Sequence, residues 1–168
     1  MAVIPIRTLP DPVLRQKAKK VSGVDPSIRK LIVNMIETMN EANGVGLAAP
    51  QVGVSLRIAV ICMPEEDAQE IVLINPEIIK KTGEREIEER CLSVPGYLGI
   101  VKRAVSVTAK GRDENFKEIR IKADGLLAQA LEHEIDHLQG LLYVDHLVSP
   151  ETLIKVPPPG SEPESPPA

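Results

Sequence analysis

From Asp124 to Gly140 the chain reads Asp-Gly-Leu-Leu-Ala-Gln-Ala-Leu-Glu-His-Glu-Ile-Asp-His-Leu-Gln-Gly. No other segment restricts the fold so strongly. Leu126, Leu127, Ala130, Leu131, Ile135 and Leu138 recur at helical spacing. Asp124 is placed to cap the N-terminus of that helix, and Gly140 to stop it. Inside this apolar helix sit His133, Glu134 and His137. Positions i and i+4 lie on one face, so the two imidazoles can grip one divalent metal from the same side. Glu134, one residue further round, is close enough to take a proton from a water held there. These are the working parts of metal-assisted hydrolysis. A solvated histidine pair satisfies the spacing too. The helical context, and the fact that two of only three histidines fall here, favour the metal site.

The rest of the composition sets bounds. At 168 residues, 43% hydrophobic and 26% charged, the chain fits one soluble globular domain over residues 1–150. A net charge of −4 gives no electrostatic reason to expect DNA or an anionic membrane as partner. There is no apolar run of membrane-spanning length and no signal or transit character before Arg7. With only two cysteines, the chain reads as a protein of a reducing cytoplasm. Aromatic residues make up 2%, so the core must be aliphatic.

Pro5, Pro10 and Pro12 mark residues 3–21 as an extended arm and turn. Asp25-Pro26 opens a helix whose apolar stripe is Ile28, Leu31, Ile32, Met35, Ile36 and Met39, ending near Asn43-Gly44. Beyond it the period changes. Leu56–Cys62 and Ile71–Ile74 read as buried strands. Val101, Val105 and Val107 read as one half-buried strand, and Ile119 and Ile121 as another. The expected class is α+β, with short antiparallel strands packed around a C-terminal metal-binding helix and a second helix near the N-terminus. Residues 151–168 read as a disordered tail, since six of the twelve residues from Pro157 are proline.

A catalytic site of this type needs a third protein ligand. The pattern His-Glu-x-x-His-x-x-Gly-x-x-His is followed as far as Gly140, but its last position holds Tyr143, and His146 comes three residues late. Glu151 is a weak candidate. Cys91, bordered by charges, is the better one: a thiolate with two imidazoles suits zinc or ferrous iron. Cys62, in an apolar strand, reads as an inert buried thiol.

Gly44-Val45-Gly46-Leu47-Ala48-Ala49-Pro50-Gln51, Glu89-Arg90-Cys91-Leu92-Ser93 and His133-Glu134-Ile135-Asp136-His137 together resemble the three ordered motifs of peptide deformylases. The resemblance runs from the Pro10-Asp11-Pro12 arm to about Leu147 and is to the bacterial and organellar branch. It implies removal of the formyl group from the N-terminal formyl-methionine of nascent polypeptides, with release of formate. By that resemblance Cys91, His133 and His137 hold the metal. Ferrous iron is the expected ion, with zinc, nickel or cobalt able to substitute. Glu134 is the general base and acid, and the Leu92 N–H with the Gln51 side chain stabilises the oxyanion. Gly44, Val45 and Gly46 would lie along the extended substrate, and Ile87, Leu126 and Ala130 would line the methionine pocket. Partners implied are formyl-methionyl nascent peptides and, at one remove, the ribosome.

Asp136 is a candidate supporting carboxylate paired with Arg103, and Glu84–Arg90 reads as a solvated edge. The family pattern has glycine where this chain has Arg90, so a positive φ there would strain the backbone by roughly 1–2 kcal/mol. Two other readings of the same residues stay open. One is a metal-dependent endopeptidase indifferent to Cys91; the other is a catalytically silent metal-binding or ribosome-associated module.

Overall fold

The computed structural model describes residues 2–157. Helix α1 spans Pro26–Glu41 and is started by Asp25, whose carboxylate accepts from the Ile28 N–H at 2.9 Å with proline in the first turn. Of its expected stripe, Ile32, Met35 and Met39 are buried. The chain then forms β1 (Gly46–Ala48), β2 (Ile58–Ile61), β3 (Ile71–Thr82), β4 (Arg85–Glu89), β5 (Tyr97–Arg103), β6 (Ser106–Arg112) and β7 (Glu118–Asp124). Helix α2 (Gly125–Leu138) and a two-residue β8 (Ile154–Lys155) complete it.

Five antiparallel strands make one sheet in the order β1-β2-β3-β6-β7. Alternation along the strands assigns its two faces. Ile58, Val60, Val72 and Ile74 pack with α1 residues, whereas Ala59, Ile61, Leu73, Ala109 and Ala123 pack with α2. The sheet is therefore the middle of three layers. Because β2 is covered on both faces, its run Ile-Ala-Val-Ile is apolar without alternation. The face toward α2 is rich in alanine, and α2 answers with Ala128 and Ala130. Small side chains on both surfaces bring the helix close to the sheet.

A second sheet, β4-β5-β8, closes over the polar side of α2. Leu14, Cys91, Val94, Val101, Leu142 and Tyr143 form the core beneath it. The N-terminal arm ties the layers together: Arg7 N donates to Gln51 O at 2.6 Å, Leu9 N to Ser93 O at 2.9 Å and Ala18 N to Leu138 O at 2.9 Å. Gly140 ends α2 with φ +79°, and a Cβ there would stand 2.6 Å from the Arg15 carbonyl oxygen. Both the backbone conformation and the approach of the arm exclude other residues.

Several sequence expectations are corrected. Val101, Val105 and Val107 do not share a strand. Val101 belongs to β5 of the small sheet and Val107 to β6 of the large one, with Val105 exposed in the connection. The chain changes sheets there, which a common alternation cannot reveal. β3 runs eight residues beyond Ile74, with register shifts near Glu77 and Lys80; its second half is exposed and so lacks an apolar signature. Asp124 occupies the cap position of α2, but its side chain makes no capping bond. The tail does not begin at residue 151. Residues 151–157 stay against the body, with Ile154 and Lys155 paired to Leu98 and Tyr97; the rest of that stretch, residues 158–168, lies outside the described residues.

Leu131 is fully buried between α2 and the sheet. Leu131→Ala is expected to cost about 2–5 kcal/mol, read as a lower urea midpoint at unchanged slope. Val3→Ala, at a half-exposed position, should stay within about 0.5 kcal/mol of the parent.

Candidate metal centre and active-site cleft

α2 turns its apolar side to the sheet and His133 and His137 toward the smaller layer, with Glu134 beside β1. The loop after β4 brings Cys91 to meet them. Cys91 Sγ lies 3.3 Å from His137 Nε2, and His137 Nε2 lies 3.2 Å from His133 Nε2. All three donor atoms fall within 4.8 Å of one another. A tetrahedral ion with metal–nitrogen and metal–sulfur bonds of about 2.1 and 2.3 Å needs nitrogen–nitrogen and sulfur–nitrogen separations of about 3.4 and 3.6 Å. These two spacings are slightly tighter, so a small outward shift accommodates such an ion. One soft sulfur and two imidazole nitrogens suit a borderline divalent metal, and the donor set fits.

What surrounds the donors fixes their orientation. Glu89 Oε2 is 2.8 Å from His133 Nδ1, so the Nδ1–H points at a carboxylate and the Nε2 lone pair faces the centre. Glu89 is in turn gripped by Arg103, through Nε at 3.0 Å and a second guanidinium nitrogen at 2.5 Å. The remaining arm of Arg103 donates to Asp136 at 2.7 Å, as the sequence suggested for that pair. Burial pushes the Glu89 carboxyl up, but the bonds from His133 and Arg103 outweigh it and hold it down at about 2. Burial pushes His137 well below the ordinary histidine value, with repulsion from His133 in the same direction. A neutral imidazole is the form that ligates. His146 lies 3.1 Å from Asp136, outside the donor set, and Glu151 is exposed in a turn of 3-10 helix at the chain's far edge.

Glu134 is buried against β1, and one carboxylate oxygen has no hydrogen-bond partner. Burial pushes its pKa up to about 7, with His133 opposing. Gly46 explains its position: a Cβ there would stand 2.8 Å from the Glu134 carboxyl carbon. The glycine makes room for the Glu134 carboxylate, a role that a substrate-facing residue does not include. Gln51 is 1% exposed and locked, with Oε1 accepting from Ala48 N at 2.9 Å and Nε2 donating to Ser93 Oγ at 3.1 Å. Its Nε2 is also 3.7 Å from Cys91 Sγ.

Gln51, Glu89, Cys91, His133 and Glu134 share one cleft of about 520 Å³, with His137 buried behind them. Its walls include Gly44, Val45, Gly46, Gln51, Arg90, Cys91, Leu92, Leu126, His133 and Glu134. β1 is the edge strand of its sheet, so its outer backbone groups face the cleft. Ile87 and Ala130, expected in a methionine pocket, do not line it. Ile87 packs into the core with Cys91 and Val101, and Ala130 into the core with the sheet. Leu126, by contrast, is exposed at the cleft. Arg90 is exposed and is not among the residues with positive φ, so it replaces glycine without backbone strain and adds charge at the rim. Cys62 stands apart, half-buried and near the Met63 and Ala68 carbonyls. Glu89 is the important residue that the sequence does not single out, because a charged segment reads as a solvated edge. The available signal was that Ile87 and Glu89 share one face of a strand.

A Cys-His-His donor set, with a buried carboxylate one residue from a ligand and set in an open cleft, is the apparatus of a metal-dependent hydrolase. The comparisons narrow it. The family model for polypeptide deformylase matches residues 3–152. A peptide deformylase of Dehalococcoides mccartyi is 57% identical over 98% of both chains, and one from Halothermothrix orenii is 55% identical over 88% of this chain and 96% of its own. The crystal structure of a peptide deformylase from Legionella pneumophila superposes with TM-score 0.85 at 49% identity, covering 89% of this chain and 88% of that one. That from Ehrlichia chaffeensis in complex with actinonin gives 0.86 at 41% identity, covering 90% and 92%. The chain belongs to the polypeptide deformylase family, enzymes that remove N-formyl groups from polypeptides.

Two expectations follow from the geometry. Glu89→Gln should weaken metal retention by about 10–100-fold, measured by competition with a chromogenic chelator. Gly46→Ala should displace the Glu134 side chain, lowering turnover while metal content, measured by elemental analysis, stays at the parent level.

Proposed function

We propose that Cys91, His133 and His137 hold one ferrous ion and that Glu134, Gln51 and Leu92 carry out the deformylation around it. The observation that supports this most directly is the convergence of the three donor atoms beside a buried carboxylate, with Cys91, His133 and Glu134 lining one cleft. A divalent ion held there would supply Lewis acidity, drawing the pKa of water toward neutrality and polarising the formyl oxygen. The residues supply the rest. Glu134 takes the proton of the attacking water and returns it to the departing amine, so that formate and a free N-terminus result. Gln51, its amide fixed by Ala48 and Ser93, and the Leu92 N–H stand beside the oxygen on which negative charge develops.

The formyl-peptide would lie extended along Gly44–Gly46, adding to the free edge of β1 through main-chain hydrogen bonds that tolerate varied side chains. Leu126 offers apolar surface for the methionine. The mixed thiolate and imidazole set suits iron or zinc, and nickel or cobalt can also occupy it; iron is the ion that the family resemblance implies. The natural substrates would be nascent chains, met at or near the ribosome in the cytoplasm. No helix among the described residues is long and apolar enough to cross a membrane.

Formate release from a formyl-methionyl peptide, assayed anaerobically with ferrous iron, tests the reading. Glu134→Gln should lower kcat by about 10²–10⁴-fold with metal retained, and Gln51→Ala by about 10²–10³-fold. Cys91→Ala should lose the metal; cleavage of internal peptide bonds by that variant would instead establish the endopeptidase. A metal-loaded parent protein that releases no formate would be the silent module.

A further inference from the structure

The C-terminal segment has no part in the chemistry above, yet it reaches the cleft. After α2 the chain doubles back along the outer edge of β5. Leu147 bridges Val101, Val148 N donates to Ile100 O at 2.9 Å, and Thr152 Oγ1 accepts from Ile100 N at 3.3 Å. Ile154 and Lys155 pair with Leu98 and Tyr97, and Val156 N donates to Gly96 O at 2.9 Å. Leu153 anchors the segment from below, packed with the cluster that contains Cys91 and Tyr143. A two-residue strand would fray by itself; this series of bonds holds it in place.

Val156 and Pro157, at the end of that series, line the same cleft as Cys91, His133 and Glu134. With Pro95 and Tyr97 they give that rim an apolar lip. The β1 side of the cleft offers backbone groups, which hold any peptide main chain and read no side chain. The lip offers side-chain surface, which does discriminate. Resting on the deformylase reading, we propose that Val156 and Pro157 form a wall that contacts the residues following the formyl-methionine and selects nascent chains with apolar side chains there.

The test compares kcat/KM for formyl-Met-Leu-Leu and formyl-Met-Ser-Ser in the iron-loaded full-length enzyme. The wild-type ratio should favour the leucine peptide. In Val156→Asp it should fall about tenfold, the scale of a lost apolar contact, with the loss carried in KM. A chain ending at Leu153 should lose the same preference, and one ending at Pro157 should keep it. If removal of the segment disturbs folding, seen as a lowered melting temperature, Val156→Asp decides alone. An unchanged ratio in Val156→Asp, or a ratio already lost in the chain ending at Pro157, overturns the wall. Absence of formate from both peptides with the wild-type enzyme overturns the deformylase reading along with it.

Discussion

Burying a helix that carries two histidines and a glutamate is the constraint around which this molecule is arranged. Such groups cost several kcal/mol each if they enter the interior without partners. The large sheet cannot provide partners, because its face toward α2 is alanine, leucine, isoleucine and valine. They come instead from the small sheet, where Glu89 and Arg103 pair across β4 and β5 and reach His133 and Asp136. A buried ion pair of this kind is weak evidence for added stability, since desolvation offsets most of its attraction. Its evident effect is orientation: it fixes which nitrogen of His133 faces the centre.

Glu134 is treated in the opposite way. It has no cation of its own among its hydrogen-bond partners, and one of its oxygens is unbonded. Glu89, which orients His133, is saturated with donors and held ionised, whereas Glu134, in the cleft, is left poor in donors and its pKa rises. Two carboxylates a few residues from the same metal ligands thus acquire separate tasks from their surroundings. Gly46 permits the second arrangement, because any larger residue on β1 would occupy the space of the carboxylate.

Edge strands border the cleft. β1 ends the large sheet and β4 ends the small one, and the Cys91, His133 and His137 cluster lies where the two layers meet. An unpaired edge is a hazard for aggregation in most proteins. Here it is short, three residues, and it borders a concave site, so it can accept a peptide strand without offering a long template. The arm that bonds Gln51 and Ser93 through Arg7 and Leu9 holds the loops beneath this edge in register.

Much of this was legible beforehand. Periodicity gave both helices, because 3.6-residue spacing survives wherever a helix has one buried face, and the unbroken run in β2 marked a strand covered on both sides. The spacing of His133 and His137 put two imidazoles on one helix face, and the chemistry of thiolates pointed to Cys91, whose sulfur the structure brings beside them. Other features depended on tertiary contacts alone. Nothing in the alternation of Val101, Val105 and Val107 says that the chain changes sheets between them. A charged stretch such as Glu84–Arg90 looks solvated until another layer closes over one of its faces and buries Glu89. The Pro-rich end looks free until its first residues find the open edge of β5. Local sequence determines what a segment can form by itself, through period and caps; which surfaces meet is a property of the whole chain, and that meeting decides which carboxylate is ionised, which is poised, and where a substrate can lie.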